Sequence, residues 1–155
     1  MQVEFVNPFV LGTCSVFSTM LGCELARGQL SLKQGLVPEF EVSGLIGLSG
    51  RCQGMIVVSL GRETAIKAAE IMLGDRPAEL NADVCDAVGE IANMIAGAAK
   101  AQLEEYQLSI SLPTVICGRN HSVNFPSSST PFVLPFESAI GPVCIEVGME
   151  PKAGA

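Results

Sequence analysis

The stretch of residues 81–103 constrains the fold more than any other part of the chain, because one helical pattern runs through its whole length. Apolar residues recur there at steps of three and four, which places them along one buried face of a helix. They are Val84, Val88, Ile91, Ile95 and Ala98. Asn81 stands before the pattern and can cap the first turn with its side-chain oxygen. The sequence therefore predicts a long amphipathic helix that packs on the rest of the protein.

A polar stripe follows another face of this predicted helix. Asp86, Glu90 and Asn93 fall within an arc of about 60° when each residue turns by about 100°. Asparagine is unfavourable inside a helix, and Gly97, one turn later, costs about 1 kcal/mol relative to alanine. One interpretation is that Glu90 and Asn93 are presented to another molecule, which Gly97 allows to approach closely. The other is an ordinary solvated helix face, and the pattern alone leaves both open.

Length and composition predict one domain. The chain has 155 residues, of which 48% are hydrophobic, enough for a sizeable core, and no linker or low-complexity segment divides it. We expect a single domain over residues 1–150 and a flexible tail over residues 151–155.

The charge pattern argues against several classes of partner. The formal net charge is −7 and no Lys/Arg cluster is present, so binding to nucleic acid or to an anionic membrane surface is not expected. No uncharged run approaches the roughly 18 residues that span a bilayer, and the N-terminus lacks the pattern of a signal peptide. A cytoplasmic location is therefore the expectation.

Cysteine and histidine give no sign of a metal site. The six cysteines are spread along the chain without a C-x-x-C pair, and a single histidine accompanies them. We expect buried, reduced thiols that pack as small apolar residues. His121 could act as a base, but catalysis of that kind needs an orienting third group that the sequence does not indicate.

The rest of the chain predicts an α+β fold, with a mainly antiparallel β-sheet and long α-helices packed on it. Further helices are expected from Asn7 and Pro8 to Leu21 and over residues 63–73, and residues 3–6 are expected to be extended. Apolar alternation predicts strands over residues 29–33, 40–48, 54–60, 108–112, 123–125, 132–136 and 143–149. The strand over residues 54–60 is nearly all apolar, which is typical of a central position. Pro113 marks a sheet edge or a bulge, because proline cannot donate to a ladder.

The spacing of Asp86, Glu90 and Asn93 resembles the D-x-x-x-E-x-x-N pattern of the CheC/CheX/FliY chemotaxis phosphatases. The longer string DAVGEIANMIAGAAK is similar to the CheX branch. Five further segments resemble it in the same order: VEFVNPF, VSGLIGLSG with QGMIVVSLGRETA, the helix ending at IMLG, and SLPTVICGRNHSV. The CheC branch resembles an internal duplication with two active-site helices. Here the first helix carries no carboxylate, which implies one site per chain.

The resemblance implies a function and a role for each motif residue. It implies hydrolysis of the aspartyl phosphate on a CheY-like receiver domain that brings its own Mg²⁺ and lysine, so that this chain needs no cofactor. Asn93 would hold the attacking water, and Glu90 would pair with the receiver's lysine. Asp86 would tune docking or cap the helix, and Gly97 would permit close approach. Pro113 is a candidate for the proline of the family motif, although we treat it as structural.

The family also implies a homodimer joined through its β-structure, with residues 127–130 as the place to look for exchange between chains. A non-catalytic receiver-binding adaptor, similar to a flagellar switch protein, is the main alternative, because relatives of this fold include structural motor proteins. A small-molecule sensor is a third possibility without a positive feature behind it. The presence of both Glu90 and Asn93 favours the enzyme, and the sequence does not identify the receiver.

Overall fold

A computed structural model describes residues 3–126 and 130–153. The predicted helices are confirmed to within two residues at each end, and short 3-10 helices span Val3–Phe5 and Glu104–Tyr106. The α-helices are α1 (Val6–Leu21), α2 (Arg62–Leu73) and α3 (Ala82–Ala101). Gly22 and Gly74 follow α1 and α2 with positive φ angles of 62° and 88°, a conformation that glycine adopts without strain and that ends a helix.

One antiparallel sheet contains the eight strands found in the described part of the chain. They are β1 (Ala26–Arg27), β2 (Ser31–Leu32), β3 (Val42–Ser49), β4 (Cys52–Leu60), β5 (Ser109–Ile110), β6 (Thr114–Cys117), β7 (Phe132–Glu137) and β8 (Val143–Pro151). The order is β1-β7-β8-β4-β3-β5; β2 also pairs with β7, and β6 also pairs with β3. The predicted α+β architecture with an antiparallel sheet is confirmed.

β4, the most apolar strand, lies in the centre of the sheet, as its sequence predicts. β4 forms a hairpin with β3, in which Leu48 lies opposite Gly54, and it pairs along its whole length with β8. The strand is therefore flanked on both sides. Pro113 lies between β5 and β6, two short strands that both pair with the outer edge of β3. The predicted edge position of Pro113 is confirmed.

The three helices pack together, and α3 lies in the middle, in contact with the sheet. α3 packs against α1, α2 and the strands β3 to β6. Two glycines allow the close approach. A Cβ at Gly44 on β3 would lie 3.1 Å from the Cβ of Ala92, and one at Gly12 on α1 would lie 3.1 Å from the carbonyl oxygen of Ile95. These contacts hold α3 firmly between the sheet and α1.

The other face of the sheet is covered by irregular segments. Residues 33–41 run across it, where the Lys33 Nζ donates to Glu146 Oε2 at 2.8 Å, and the Leu36 carbonyl accepts from the Val123 N–H. Glu146 on β8 is consequently 1% exposed. This face therefore contains a small second core in which a carboxylate is buried.

Several sequence predictions about irregular segments were wrong. Residues 3–6 are helical rather than extended, because Phe5 is buried and packs edge-to-face on Tyr106 with ring centroids 5.3 Å apart. α1 begins at Val6, so that Asn7 is not its cap and Pro8 lies within the first turn, where a missing N–H removes no helical bond. Residues 123–125 form no strand, since the Val123 N–H is bonded to a loop carbonyl instead.

The last strand extends further than the sequence pattern indicated. Pro151 pairs with Cys52 at the end of β8, and the Lys152 N–H donates to the Arg51 carbonyl. The expected tail therefore begins inside the sheet. Residues 154–155 of that tail, and residues 127–129 of the proposed exchange hairpin, lie outside the described residues. Over residues 3–126 and 130–153, the structure contains no helix with the length and apolar character needed to cross a membrane.

Asn81 caps α3 as the sequence predicts. Its Oδ1 accepts a hydrogen bond of 3.1 Å from the N–H of Val84, in the first turn of the helix. Replacing Asn81 by alanine should lower the free energy of unfolding by about 1 kcal/mol, because that N–H loses its partner. Urea denaturation monitored by circular dichroism measures the change. An Asn81→Ser variant should recover most of the loss, and equal stability of the alanine variant and the wild type would contradict the capping role.

Candidate functional site

α3 presents its polar stripe away from the core. Asp86 and Glu90 are exposed, and Asn93 and Gly97 are partly buried along the same line. The opposite face is buried as predicted at Val84, Val88, Ile91 and Ile95, while Ala98 is only partly buried. The four predicted site residues therefore lie together on one face of a well-supported helix.

The polar groups of this face are available to a second molecule. In the part of the chain that the structure describes, neither the Glu90 carboxylate nor the Asn93 amide is engaged in a hydrogen bond or ion pair. Asp86 lies beyond the first turn and is exposed, and the cap of the helix comes from Asn81. A side-chain amide both donates and accepts, so Asn93 keeps its whole hydrogen-bonding capacity.

Gly97 is not required by the packing of the chain itself. A Cβ at this position would have no neighbouring heavy atom within 4 Å. Gly97 lines one end of an open groove of about 500 Å³ between the C-terminal half of α3 and the segment that follows it, including Lys100, Leu108 and Ile110. The glycine leaves room next to Asn93 that a larger residue would fill.

The segment between β5 and β6 supports the other side of the motif. A Cβ at Gly89 would lie 3.4 Å from the Pro113 ring and from the Val115 side chain, so this segment packs closely on α3 beside Glu90. The preceding Leu112 is 89% exposed. The alternation of Leu108, Ile110 and Leu112 indicated one common strand face, but β5 ends at Ile110 and Leu112 projects into solvent next to the motif.

The expectation that the cysteines are buried, reduced thiols is only partly correct. The expected burial of the thiols is correct for Cys23, Cys52 and Cys144 and wrong for Cys117, which is exposed; Cys14 and Cys85 are partly buried. Residues 3–126 and 130–153 contain no cluster of three or more His, Cys, Asp or Glu residues suited to a metal ion.

His121 lies on the opposite face of the sheet from α3. Its Nδ1 is 2.7 Å from the Gly118 carbonyl oxygen and its Nε2 is 2.8 Å from the Ser43 hydroxyl. A carbonyl oxygen only accepts, so Nδ1–H donates to it and the Ser43 hydroxyl donates to Nε2 in the neutral ring. These two bonds fix the turn around Asn120, which has a positive φ of 66°. His121 is a structural residue, remote from the motif.

Comparison with known proteins decides the family. A family model described as "Chemotaxis phosphatase CheX" matches residues 42–137. The chain belongs to the CheX family. The matched residues contain the whole of α3 and five of the eight described strands, β3 to β7, so the CheX pattern covers both the site and most of the sheet that supports it.

Similar proteins agree with this assignment. A CheY-P phosphatase CheX of Thermotoga maritima is 28% identical over 123 residues, which are 77% of this chain and 79% of that protein. The crystal structure of a chemotaxis protein CheX from Desulfovibrio desulfuricans is 35% identical, with a TM-score of 0.86, and the match covers 96% of this chain and 100% of the other. A CheX–CheY–BeF₃–Mg²⁺ complex from Borrelia burgdorferi contains the same fold, with 23% identity, a TM-score of 0.82 and coverage of 96% and 99%.

Proposed function

We propose that this protein is a phosphatase that hydrolyses the aspartyl phosphate of a CheY-type receiver domain by positioning a water molecule. Membership of the CheX family and a relative named as a CheY-P phosphatase support this activity. The observation that carries the proposal is the state of Asn93. Its amide lies partly buried on a rigid helix, among exposed polar groups, with no partner in the described part of the chain. Such an amide is ready to bind a small polar molecule.

Asn93 would place the attacking water. Its carbonyl oxygen can accept one proton of the water while its N–H donates to another polar group, which fixes the orientation of the water. Phosphoryl transfer depends mainly on positioning and on stabilisation of charge, so a nucleophilic side chain is not required. Because α1 and the sheet hold α3 in place, the Asn93 amide is already in position before the partner binds.

Glu90 would anchor the receiver. It lies three residues before Asn93, about 4.5 Å along the helix axis, so both side chains can enter the same small active site. Its exposed carboxylate is suited to a charge-assisted hydrogen bond with the receiver's lysine. Asp86, one turn earlier and also exposed, would contribute to docking, and the open space at Gly97 would let the receiver backbone approach.

The metal required for the reaction would come from the receiver. The described residues contain no cluster of three or more His, Cys, Asp or Glu residues suited to a metal ion. Mg²⁺ bound to the receiver would neutralise charge on the phosphoryl group, while this chain orients the water and the receiver's lysine. Removal of Mg²⁺ with a chelator should therefore stop phosphate release, because the receiver loses its metal ion.

We also propose that the protein forms a homodimer through its β-structure, as the CheX resemblance implies. Sedimentation velocity over a range of protein concentrations tests this directly. A single species with the mass of one chain at all concentrations would contradict it.

Phosphate release from a receiver tests the proposed function. A CheY-type receiver from the same cell is phosphorylated, loaded with Mg²⁺ and mixed with this protein at substoichiometric concentration, and free phosphate is followed with time. We expect release to become faster in proportion to the protein added, with several phosphates released per chain. Binding of the phosphorylated receiver without faster release, for every receiver of that cell, would favour the non-catalytic adaptor instead.

A further inference from the structure

Two thiols that are far apart in sequence meet beside the motif. The Sγ atoms of Cys85 on α3 and Cys117 at the end of β6 lie 3.3 Å apart, and both cysteines are free. Cys85 is partly buried and Cys117 is exposed, so reagents in solution can reach the pair. The other four cysteines are buried or, for Cys14, partly buried on α1.

The elements that carry the two cysteines pack side by side. From Cys85 to Gly89, α3 advances about 6 Å, and from Cys117 back to Val115, β6 advances about 6.6 Å. Gly89 packs on Val115, so the two elements run side by side with matching spacing. A disulfide requires the sulfurs to come to about 2.05 Å, which is about 1.3 Å closer than they are, a shift within reach of small side-chain rotations.

We propose that Cys85 and Cys117 form a reversible disulfide by exchange with a small-molecule disulfide of the glutathione type. The disulfide would link the edge strand β6 covalently to α3 at Cys85, the residue before Asp86. β6 has just four residues and, within the part of the chain that the structure describes, pairs only with β3, so it is the part of this region that such a link would restrain most.

The chemistry requires one attacking and one resolving thiol. The pKa of Cys117 is raised to about 11, first by partial desolvation of its thiol and then by the hydrogen bond and charge of Cys85, which suits Cys117 to the second, resolving step. The Cys85 thiolate attacks one sulfur of the glutathione disulfide, forms a mixed disulfide and expels one glutathione thiolate. Cys117 then loses its proton to solvent, attacks the Cys85 sulfur and expels the second glutathione. Two protein thiols are oxidised, and one glutathione disulfide is reduced to two thiols.

Peptide mapping after controlled oxidation tests the proposal. The full-length protein is incubated in mixtures of oxidised and reduced glutathione, quenched with acid, alkylated and digested. We expect Cys85 and Cys117 to lose their alkylation together, and a linked peptide containing both to appear and to vanish after reduction. Closing the loop between them should raise the melting temperature of the oxidised protein by about 5–10 °C, and amide exchange over residues 112–117 should slow.

Three variants separate this link from general thiol oxidation. Cys85→Ser and Cys117→Ser should give no linked peptide and no rise in melting temperature, whereas Cys14→Ser should behave as the wild type. The proposal is overturned if, in oxidised glutathione alone, both thiols of the folded wild type remain open to alkylation. It is equally overturned if each carries glutathione without forming the link, or if either is linked to a different cysteine.

Discussion

Replacing Asn93 by alanine should lower the rate of phosphate release that this protein produces by a factor of at least about 100. The variant should be as stable as the wild type or slightly more stable. The rate effect follows from the loss of the group proposed to hold the water, since misplacing a reactant can cost about 100-fold, or about 2.7 kcal/mol of transition-state stabilisation. The stability effect has the opposite sign, because alanine favours a helix interior by up to about 0.7 kcal/mol over asparagine. Lower activity with higher stability is the signature of a residue kept for function.

Single-turnover kinetics with a phosphorylated receiver measure the first effect, and urea denaturation measures the second. With the variant in excess over the receiver, the maximal rate should fall while the concentration that gives half of it stays close to the wild-type value. A Glu90→Gln variant should show the reverse pattern, because the anchor proposed for the receiver's lysine loses its charge. The two variants thus separate positioning of the water from binding of the partner.

Asn81, the asparagine that caps α3, provides the matched control. Asn81 uses its amide to cap the helix, so Asn81→Ala should lower stability and keep the rate of phosphate release. Asn93→Ala should do the opposite. If Asn93→Ala retains the wild-type rate at saturation, another group places the water and the proposed role of Asn93 is wrong.

The sequence was sufficient for the helices and for the face that carries the motif. α3 could be predicted because its start is specified locally by Asn81 and its orientation by apolar residues that repeat every three or four positions. The central position of β4 followed in the same way from an apolar run that only a strand covered on both faces would carry. These features depend on neighbours in sequence, which a pattern can detect.

Contacts between distant segments were not predictable in this way. In β8, the alternation of Val143, Ile145 and Val147 indicated one buried face and carried no information about the surroundings of Glu146 on the other face. Residues 33–41 fold over that face and bury the carboxylate. The approach of Cys85 to Cys117 likewise depends on how β6 packs along α3. A strand pattern reports that one face is covered, but it does not report what loops do on the other face.

The buried Glu146 leads to the second large effect, which concerns stability. Lys33, 10% exposed, donates to Glu146 Oε2 at 2.8 Å and to the Val37 carbonyl at 2.6 Å, while Glu146 Oε1 is buried without a hydrogen-bond partner among the described residues. Replacing Lys33 by methionine keeps the length of the side chain but removes its charge. We expect the free energy of unfolding at neutral pH to fall by about 3–5 kcal/mol, because a buried carboxylate loses its counter-ion.

The pH dependence of this loss identifies its cause. Burial raises the pKa of Glu146 above its ordinary value. The hydrogen bond and charge of Lys33 lower this pKa again in part, and the charge of Glu39 raises it. A carboxyl group whose pKa is raised on folding holds more protons in the native state than in the unfolded state. It therefore lowers the free energy of unfolding as pH rises above the pKa of the unfolded state, and the loss is largest above the pKa of the native state. The Lys33→Met penalty should therefore shrink as pH falls toward 4.

Urea denaturation of four proteins between pH 4 and pH 8 tests this explanation. Glu146→Gln in the Lys33→Met background should recover part of the stability and flatten its pH dependence, because a neutral amide replaces the unpaired charge. Arg76→Met, which breaks the exposed ion pair with Glu63, is the control and should change stability little. A Lys33→Met penalty that is equally large at pH 4 and pH 8 would show that lost packing of residues 33–41, and not the unpaired carboxylate, destabilises the variant.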